Sequence, residues 1–477
     1  MALNHIHNTA VRSASGQTLP VIDPATGEAY ETIERSNAAD IDAAVRAARE
    51  CYDGTWARTT AAERGRLLMK LSQKVAEHAD ELAAIEQRDC GKPVAQAKAD
   101  ALALVRYFEF YAGAGDKLHG DTIPYLDGYS VLTWREPHGV TGHVVPWNYP
   151  MQIFGRCVGG ALAAGNVCVV KPSEDACLSL LRVAELAVEA GFPAGCINIV
   201  TGYGHEVGDA LARHPGIDHI SFTGSPRVGT LIQQAAAERH CPVTLELGGK
   251  GPQIVFADAD IDAALPFIVN AIVQNSGQTC SAGSRLLVER SLYEPLLERL
   301  GKRFTELRAG PPAMNLDLGP LIRQSQMERV QGFLAQAEAD GIATVAKGRV
   351  VSEAATTGYY AAPTLLRDVP VDHRLAQEEV FGPVLSAMAF DDEDHAVQIA
   401  NATPFGLVAG VWTRDGGRQF RMAKRVRAGQ VFINNYGAGG GVELPFGGVK
   451  SSGHGREKGF EALYGFTVLK TVAIKHG

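Results

Sequence analysis

The sequence predicts an α/β fold in which parallel strands alternate with crossover helices. Between about residues 140 and 250, short apolar runs alternate with stretches of helical periodicity, and each run ends in glycine, proline or a polar turn. This alternation is typical of a parallel sheet whose strands are joined by helices. The same pattern resumes near Gly251, which indicates a second α/β domain. A chain of 477 residues is long enough for two or three domains.

Two amphipathic helices are predicted ahead of the first sheet. The first covers residues 37–53 and the second covers residues 60–90. The second begins with a capping box, in which Thr60 and Glu63 bind each other's backbone amides. Gly91 follows the last apolar position and is predicted to end this helix.

Five apolar runs predict the strands of the first sheet. In chain order they are GVTGHVV, NVCVVK, INIVTG, HISFTG and VTLELGG. Polar residues or glycines lie at the carboxyl end of every run, at positions 146–148, 171–174, 202–208, 223–225 and 246–249. Because ligands of open α/β sheets bind beyond the carboxyl ends of the strands, we expect a ligand site along this edge.

A second set of apolar runs predicts the strands of the second domain, namely PQIVF, RLLVE, GPVLSAMAF and GQVFINN. The double glycine at residues 248–249 lies between the two sets and is predicted to be the point at which the chain crosses from one domain to the other. The sequence has no internal repeat, and its one low-complexity stretch is GAGGG at residues 437–441.

The composition is that of an ordinary globular protein, with 46% apolar and 21% charged residues. The formal net charge of -8 is spread along the chain, and the absence of a basic cluster argues against a nucleic-acid surface. No stretch reaches the roughly 20 apolar residues of a membrane helix, and the N-terminus lacks the pattern of a secretory signal. We therefore expect a cytoplasmic protein that binds neither nucleic acid nor a membrane.

The eight cysteines predict neither a metal site nor a disulfide framework. None forms a CxxC pair, no histidine lies at zinc-finger spacing, and a long cytoplasmic chain keeps its thiols reduced. Most lie in apolar surroundings, such as Cys168 in NVCVVK, and are expected in the core. Cys280 differs, because it lies in the polar, glycine-bearing stretch QNSGQTCSAGSR, where a loop could bring its thiol to a substrate.

Cys280, Glu246 and Asn148 are the candidate catalytic residues. A thiolate can attack an electrophilic carbon, a carboxylate can activate water, and a side-chain amide can donate hydrogen bonds to an oxyanion. Structural alternatives remain open at this point. Glu246 could be a solvated strand residue, and Asn148 could be a turn residue between two prolines.

Lys171 and Glu174 are candidate contacts for a ribose or a phosphate, with an exposed helix start as the alternative. Gly202, Gly204 and Gly208 are similar to a loosened phosphate-binding turn, although their spacing is not GxGxxG.

Taken together, these stretches resemble the NAD(P)-dependent aldehyde dehydrogenase family, in its hydrolytic branch that does not acylate CoA. The resemblance covers nearly the whole chain, in family order, through PWNYP, LAAGNVCVVKPSE, ISFTGSPRVG, LELGGKGPQIVF, NSGQTCSAGSR, EEVFGPV, GQVFINN and PFGGVKSSGHGREKG. It implies that Cys280 is the nucleophile, Glu246 the general base and Asn148 the oxyanion donor.

The resemblance also implies the ligands. NAD is expected in preference to NADP, because a carboxylate at Glu174 would repel a 2′-phosphate. The implied cofactor contacts are Val145, Trp147, Lys171, Glu174, Gly204, Gly208, Ser225, Glu379 and Phe381. The residues expected to line the aldehyde tunnel are Tyr149, Ile153, Arg156, Thr279 and Ser281.

The family architecture would divide the chain into three parts. These are a Rossmann-like NAD-binding domain (residues 1–117 and 138–248), an α/β catalytic domain (249–463) and a small β oligomerisation element (118–137 and 464–477). The alternation in FTVLKTVAI fits an edge strand that extends a neighbour's sheet, so a homodimer or homotetramer is expected.

The implied reaction is the NAD-dependent oxidation of an aldehyde to a carboxylic acid, through a thiohemiacetal and a thioester on Cys280. One alternative is a CoA-acylating dehydrogenase, although the presence of Glu246 favours hydrolysis. The other alternative is a catalytically silent binding protein on the same fold.

The sequence bears less directly on the substrate. Arg156 occupies a position at which succinate-semialdehyde dehydrogenases carry an arginine that contacts the substrate carboxylate, but Gln274 stands where their second arginine lies. A salt bridge inside the helix bundle is the alternative for Arg156. Glycines at 439–441 predict a wide tunnel entrance and hence an aldehyde bulkier than acetaldehyde, either aromatic, long-chain or a semialdehyde.

Overall fold

The computed structural model describes residues 1–437 and 441–477, and its α/β architecture confirms the predicted fold class. In chain order the strands are β1 (Asn4–Ile6), β2 (Thr9–Val11), β3 (Thr18–Asp23), β4 (Glu28–Glu34), β5 (Thr122–Ile123), β6 (Tyr129–Pro137), β7 (Val140–Val145), β8 (Val167–Pro172), β9 (Ile197–Ile199), β10 (His219–Thr223), β11 (Val243–Glu246), β12 (Pro252–Val255), β13 (Arg285–Glu289), β14 (Arg308–Ala309), β15 (Thr344–Lys347), β16 (Arg349–Val350), β17 (Thr364–Leu366), β18 (Val384–Phe390), β19 (Val408–Trp412), β20 (Gln430–Ile433), β21 (Gly453–His454) and β22 (Thr467–Lys475).

The α-helices lie between these strands. They are α1 (Ala38–Asp53), α2 (Ala61–Glu77), α3 (Ala79–Cys90), α4 (Val94–Ala112), α5 (Pro150–Ala164), α6 (Leu178–Ala190), α7 (Asp209–Arg213), α8 (Pro226–Ala237), α9 (Ile261–Val273), α10 (Arg290–Glu306), α11 (Gln324–Ala339), α12 (Arg374–Gln377), α13 (Glu393–Asn401), α14 (Gly416–Arg425) and α15 (Glu461–Gly465). In the described ranges, no helix is long and apolar enough to cross a membrane.

The first sheet has the strand order β2-β1-β9-β8-β7-β10-β11-β21. Its five central strands are parallel and coincide with the five predicted apolar runs, which confirms that prediction. The strand β8 is buried along its whole length, as expected for a parallel strand covered on both faces by helices. The carboxyl ends of β7, β10 and β11 therefore lie side by side at one edge of the sheet.

The second sheet has the strand order β15-β17-β18-β13-β12-β19-β20, and all its pairs except β15 with β17 are parallel. The chain leaves the first sheet at Glu246 and enters the second at Pro252. The double glycine between them is thus the crossing point, as predicted. Two apolar clusters pack on this sheet, and a larger one surrounds the first sheet.

The helix predicted over residues 60–90 is wrong in one respect, because it is two helices that meet at His78. The capping box of Thr60 and Glu63 is present at its start, and Gly91 ends it in the left-handed conformation, at φ 73°. His78 departs from helical geometry, with φ -109° and ψ 17°, and its Nδ1 lies 2.9 Å from the Lys74 carbonyl oxygen. This contact between the His78 ring and the backbone occurs at the break between the two helices. The spacing of apolar residues does not predict such a contact.

A third, small sheet is formed by β5, β6 and β22. The strand β22 pairs antiparallel with the full length of β6, and most of its side chains are exposed. Residues 118–137 and 464–477, which the family architecture places in one β element, thus contribute strands to the same sheet. The division into three domains stays a prediction, and β21 adds residues from near the C-terminal end of the proposed catalytic domain to the edge of the first sheet.

Candidate active site

Two cavities meet between the first and second sheets. One has a volume of about 450 Å³ and lies against α4 and α5; we call it the helix-side cavity. The other has a volume of about 520 Å³ and lies at the carboxyl ends of β7, β10 and β11; we call it the strand-end cavity. Of the described residues, only Cys280 and Asn148 belong to the walls of both cavities. Molecules bound in the two cavities would therefore meet at these two side chains.

The turn before Cys280 has an unusual backbone. Asn275, Ser276 and Gly277 all adopt left-handed conformations, with φ values of 47°, 55° and 75°. Glycine is required at 277, because a Cβ atom there would lie 2.3 Å from the backbone of Gly382. A run of such residues is costly and persists only where the surroundings hold it in place.

Hydrogen bonds from distant segments hold this loop. The Gln278 side chain accepts from the backbone N–H of Ile322 at 2.9 Å and donates to the Asn275 carbonyl at 3.1 Å. On the other side of Cys280, the Tyr436 hydroxyl donates to the Ser281 carbonyl at 2.7 Å. The thiol is thereby presented from a loop with little freedom to move.

Asn148 lies three residues beyond the end of β7 and is tied to the cysteine loop. Its Nδ2 donates to the Gln278 carbonyl at 3.0 Å, and its own carbonyl accepts from Asn275 Nδ2 at 2.9 Å. An amide nitrogen carries two hydrogens, so the second remains available to a group in the cavities. The Asn148 side chain is therefore a hydrogen-bond donor beside the Cys280 thiol. A residue that only formed a turn would not need this position.

Glu246, at the end of β11, is only 1% exposed, and its carboxyl lies in the wall of the strand-end cavity. Among the described residues, neither of its carboxyl oxygens has a hydrogen-bond partner. Gly447 approaches so closely that a Cβ atom there would lie 2.8 Å from Oε1. The solvated-edge alternative is therefore excluded. Burial raises the pKa of this carboxyl well above its usual range, with Arg156 opposing the effect.

The Cys280 thiol is also in a weakly hydrated environment. Burial raises its pKa to about 12, and the nearby Arg156 only partly offsets that effect. The thiol is therefore protonated at neutral pH in this arrangement, and a reaction at Sγ needs a group that removes the proton.

Four of the predicted cofactor residues line the strand-end cavity: Trp147, Ser225, Glu379 and Phe381. The rings of Trp147 and Phe381 meet edge to face, with centroids 5.4 Å apart. Glu379 Oε1 accepts from the backbone N–H of Gly249 at 2.9 Å, and burial raises the pKa of this carboxyl to about 7. Ser225 caps the N-terminus of α8, which places backbone N–H groups at the cavity.

The predicted adenosine contacts form a separate corner at the ends of β8 and β9. Lys171 Nζ lies 3.0 Å from Glu174 Oε2, and a Cβ atom at Gly204 would lie 4.0 Å from the same Nζ. The backbone at Gly208 faces open space. Residues 204–208 form a wide helical turn leading into α7, instead of the open phosphate-binding loop suggested by the glycine spacing. The structure thus brings Lys171, Glu174 and Gly204 together, and Gly208 ends the turn that begins at Gly204.

Val145 differs from its predicted role as a channel residue. Its side chain is 1% exposed and packs in the large apolar cluster around the first sheet. Its carbonyl accepts from the backbone N–H of Ser173 at 2.8 Å. As the last residue of a buried parallel strand, Val145 points its side chain into the core, and only its backbone lies near the sheet edge.

The predicted substrate residues Tyr149, Ile153, Arg156, Thr279 and Ser281 all lie in the wall of the helix-side cavity. The positive charge of Arg156 is already engaged, because its Nε lies 2.5 Å from Glu457 Oε2 and its Nη2 donates to Thr223 Oγ1 at 3.1 Å. The predicted entrance glycines at 439 and 440 lie outside the described residues.

Several wall residues of the helix-side cavity were missed in the sequence: Gln96, Asp100, Gln152, Phe446 and Lys458. A signal for three of them was present. Gln96 and Asp100 are four residues apart on α4, and Gln152 is four residues before Arg156 on α5, so each pair lies on one helix face. Polar pairs at this spacing in largely apolar helices indicate a polar cavity wall.

Comparison with known proteins gives a consistent result. The sequence matches the model of the Aldehyde dehydrogenase family over residues 11–472. A solved structure from Burkholderia cenocepacia, of a protein assigned to the aldehyde dehydrogenases, is 69% identical, with a TM-score of 0.99 and 100% coverage of both chains. The aldehyde dehydrogenase of Emericella nidulans is 41% identical over 99% of this chain and 95% of its own. The NAD⁺ complex of an aldehyde dehydrogenase from Bacillus cereus is 39% identical, with a TM-score of 0.97 and coverage of 100% and 97%.

Proposed function

The chain belongs to the aldehyde dehydrogenase family and is an NAD-dependent enzyme, and from this premise we propose that it oxidises an aldehyde to a carboxylic acid through a thioester on Cys280. The observation that carries the proposal is the position of Cys280 and Asn148, which alone among the described residues face both cavities. An aldehyde entering from the helix-side cavity and a cofactor lying in the strand-end cavity would meet at the thiol.

In the first step, Cys280 Sγ forms a bond to the aldehyde carbon, and the carbonyl oxygen becomes an oxyanion. In this proposal, the free hydrogen of Asn148 Nδ2 and the backbone N–H of Cys280 donate to that oxyanion. The loss of one such donor costs about 3–4 kcal/mol in a well-studied protease. Because burial holds the thiol protonated, a base must take its proton, and we assign this role to the unpartnered carboxyl of Glu246 once it is ionised.

When bound, NAD⁺ would supply the acceptor for the hydride of the resulting thiohemiacetal, and an acyl group would then remain on Sγ as a thioester. Glu246 first releases the thiol proton to solvent and then takes a proton from a water molecule, whose oxygen attacks the acyl carbon. The C–S bond breaks, the carboxylic acid leaves, and the thiol is restored. A buried carboxyl without a hydrogen-bond partner is suited to this role, because no other contact restrains it.

The chain offers suitable groups for each part of NAD. The edge-to-face pair of Trp147 and Phe381 gives an apolar corner against which a nicotinamide ring can pack, and the Glu379 carboxylate can accept from ribose hydroxyls. The N-terminus of α8, capped by Ser225, suits a phosphate. We assign Lys171 and Glu174 to the adenosine ribose, where the Glu174 carboxylate disfavours the 2′-phosphate of NADP.

Solvent oxygen tests the hydrolytic reaction against the CoA-acylating alternative. With heptanal and NAD⁺ in water enriched in the heavy oxygen isotope, mass spectrometry should find one solvent oxygen in the heptanoic acid, because water resolves the thioester. Adding CoA should neither raise the rate of NADH formation nor yield heptanoyl-CoA. A rate that depends on CoA, with a CoA ester as product, would favour the alternative reaction instead.

We propose a substrate longer than acetaldehyde and assign Arg156 a structural role. The helix-side cavity of about 450 Å³ supports the first part. For the second, the Arg156 and Glu457 side chains are 8% and 0% exposed and face each other, so the charge that a substrate carboxylate would need is neutralised within the protein. Burial lowers the pKa of Arg156, but Glu457, Glu246, Cys280 and Tyr107 together outweigh burial and raise it.

Replacing Arg156 with methionine should destabilise the protein and slow all substrates alike. Removing one partner of a buried ion pair typically costs about 3–5 kcal/mol, because the other charge is left buried and unpaired. Urea unfolding should show this loss, and kcat/KM should fall by similar factors for heptanal and for 6-oxohexanoate, an aldehyde of similar length with a terminal carboxylate. A loss confined to 6-oxohexanoate would instead identify Arg156 as a carboxylate ligand.

We keep the three-part domain division given above as a proposal. We further propose that the protein is a homodimer or homotetramer that associates through the third sheet. Along β22, the side chains of Val468, Leu469 and Ile474 are about half exposed, as is Trp134 on the neighbouring β6. Apolar side chains on an exposed edge strand support association with a second copy of the chain.

A further inference from the structure

A cluster of buried charges lies behind the wall of the helix-side cavity. Lys92 Nζ forms ion pairs with Glu86 and with Asp100 Oδ2, the latter at 2.5 Å, and these side chains are 0–3% exposed. Burial lowers the pKa of Lys92, but Asp100 and Glu86 outweigh burial and raise it. The same Nζ lies 4.3 Å from the centroid of the Tyr149 ring. The cluster is rigid, because separating any pair would leave a buried charge without a partner.

This cluster determines which way the side-chain amide of Gln152 faces. Gln152 lies on α5 in the cavity wall, and its Nε2 donates to Asp100 Oδ1 at 2.6 Å. A carboxylate paired with a lysine only accepts hydrogen bonds, so the NH₂ group of Gln152 must face it and the oxygen Oε1 must be turned away. No described residue donates a hydrogen bond to Oε1. The cavity wall therefore presents a fixed hydrogen-bond acceptor.

The surrounding charges limit the kind of group that this acceptor can bind. A carboxylate has no hydrogen to donate, so it could not form a hydrogen bond with the Gln152 oxygen. An ammonium group could donate to this oxygen, but Asp100, the carboxylate beside it, is already paired with Lys92 and would not compensate the added charge. A neutral donor, such as a hydroxyl group, makes the hydrogen bond without burying a charge.

We infer that Gln152 is a specificity-determining residue, whose oxygen accepts a hydrogen bond from a hydroxyl group on the far part of the aldehyde. The inference rests on the proposed function, because it requires the aldehyde carbon at Cys280 and the rest of the substrate in the helix-side cavity. Gln152 follows Asn148 by four residues along the chain. The hydroxyl group therefore lies several bonds from the carbon that is oxidised.

The test compares 6-hydroxyhexanal with heptanal, which replaces the hydroxyl group with a methyl group. In the Gln152→Met variant, the ratio of kcat/KM for the hydroxylated aldehyde to that for heptanal should fall about three- to tenfold, the effect of one neutral hydrogen bond. Asp100→Asn should lower the same ratio by a smaller factor, because an asparagine can also donate and so releases the amide of Gln152 to turn. Heptanal turnover in each variant shows whether the site is still folded.

Gln336→Met is the matched control, since Gln336 Nε2 also donates to an aspartate, Asp340, at 2.9 Å, but on the exposed surface of α11. In Gln336→Met, the ratio of kcat/KM for 6-hydroxyhexanal to that for heptanal should equal the ratio of the unaltered enzyme. An unchanged ratio in Gln152→Met, or equal losses for both aldehydes, would overturn the inference. NADH formation from heptanal without CoA, and the detection of an acyl group on Cys280, report separately on the proposed reaction, so failure of the proposed function would appear in those measurements and not in the ratio.

Discussion

Replacing Cys280 with alanine is expected to lower the rate of NAD-dependent aldehyde oxidation by about 10⁴-fold or more, since no covalent intermediate can form without the thiol. The side chain is partly exposed to the two cavities and not part of a packed core, so its removal should change the unfolding temperature little. NAD⁺ binding, measured by calorimetry, should persist, because the strand-end cavity keeps its other walls.

Cys241→Ala is the matched control for this variant. Its side chain is buried in the apolar cluster around the first sheet, and in the described part of the chain Cys241 lies in the wall of neither cavity. This control should keep full activity. Near-normal turnover in Cys280→Ala would show that Cys280 is not part of the mechanism. The meeting of the two cavities at this residue would then not explain the reaction.

Replacing Glu246 with glutamine should slow the steady state by about 10²–10⁴-fold, the usual contribution of a general base. Glutamine keeps the volume of the side chain but cannot accept a proton. If the hydrolysis of the thioester is the step most dependent on this carboxylate, rapid mixing should show up to one equivalent of NADH per active site, followed by slow turnover. The acyl group should then be detectable on Cys280 by mass spectrometry after acid quenching.

The pH dependence gives a second readout of the same residue. Burial raises the pKa of both Glu246 and Cys280, so at a given pH a smaller fraction of each group is in its base form than in water, and this fraction increases as the pH rises. The steady-state rate of the unaltered enzyme should therefore increase between about pH 6 and about pH 9, and the increase due to Glu246 should be absent from the variant. A variant in which the burst and the steady state fall together would show that deprotonation of the Cys280 thiol, and not hydrolysis of the thioester, is the step most dependent on Glu246.

Some of the features behind these expectations can be predicted from the sequence, and others are seen only in the folded structure. The strands of the first sheet, the crossing at residues 248–249 and the polar ends of β7 and β11 follow from short stretches of sequence, because apolar periodicity and turn residues act locally. The candidate catalytic residues were predicted in the same way, as reactive side chains in polar turns. Their roles were carried by the family resemblance.

Contacts between distant segments decided the rest. The break at His78, the core position of Val145 and the pairing of Arg156 with Glu457 each depend on a neighbour brought near by folding or on the direction of a side chain. In isolation Arg156 is equally suited to a substrate carboxylate or to an ion pair, and only its packing against a segment near the C-terminus distinguishes the two.

By itself, the sequence determined the fold class, the positions of the main strands along the chain and the residue types at the sheet edge, since these depend on patterns only a few residues long. The tertiary structure alone decided that two cavities converge on Cys280 and Asn148, and that Asp100 fixes the orientation of Gln152. The physical reason is that the charge and hydrogen bonding of a buried polar group are set by the partners it finds in a medium with little water, and these partners come from elements far apart in the chain.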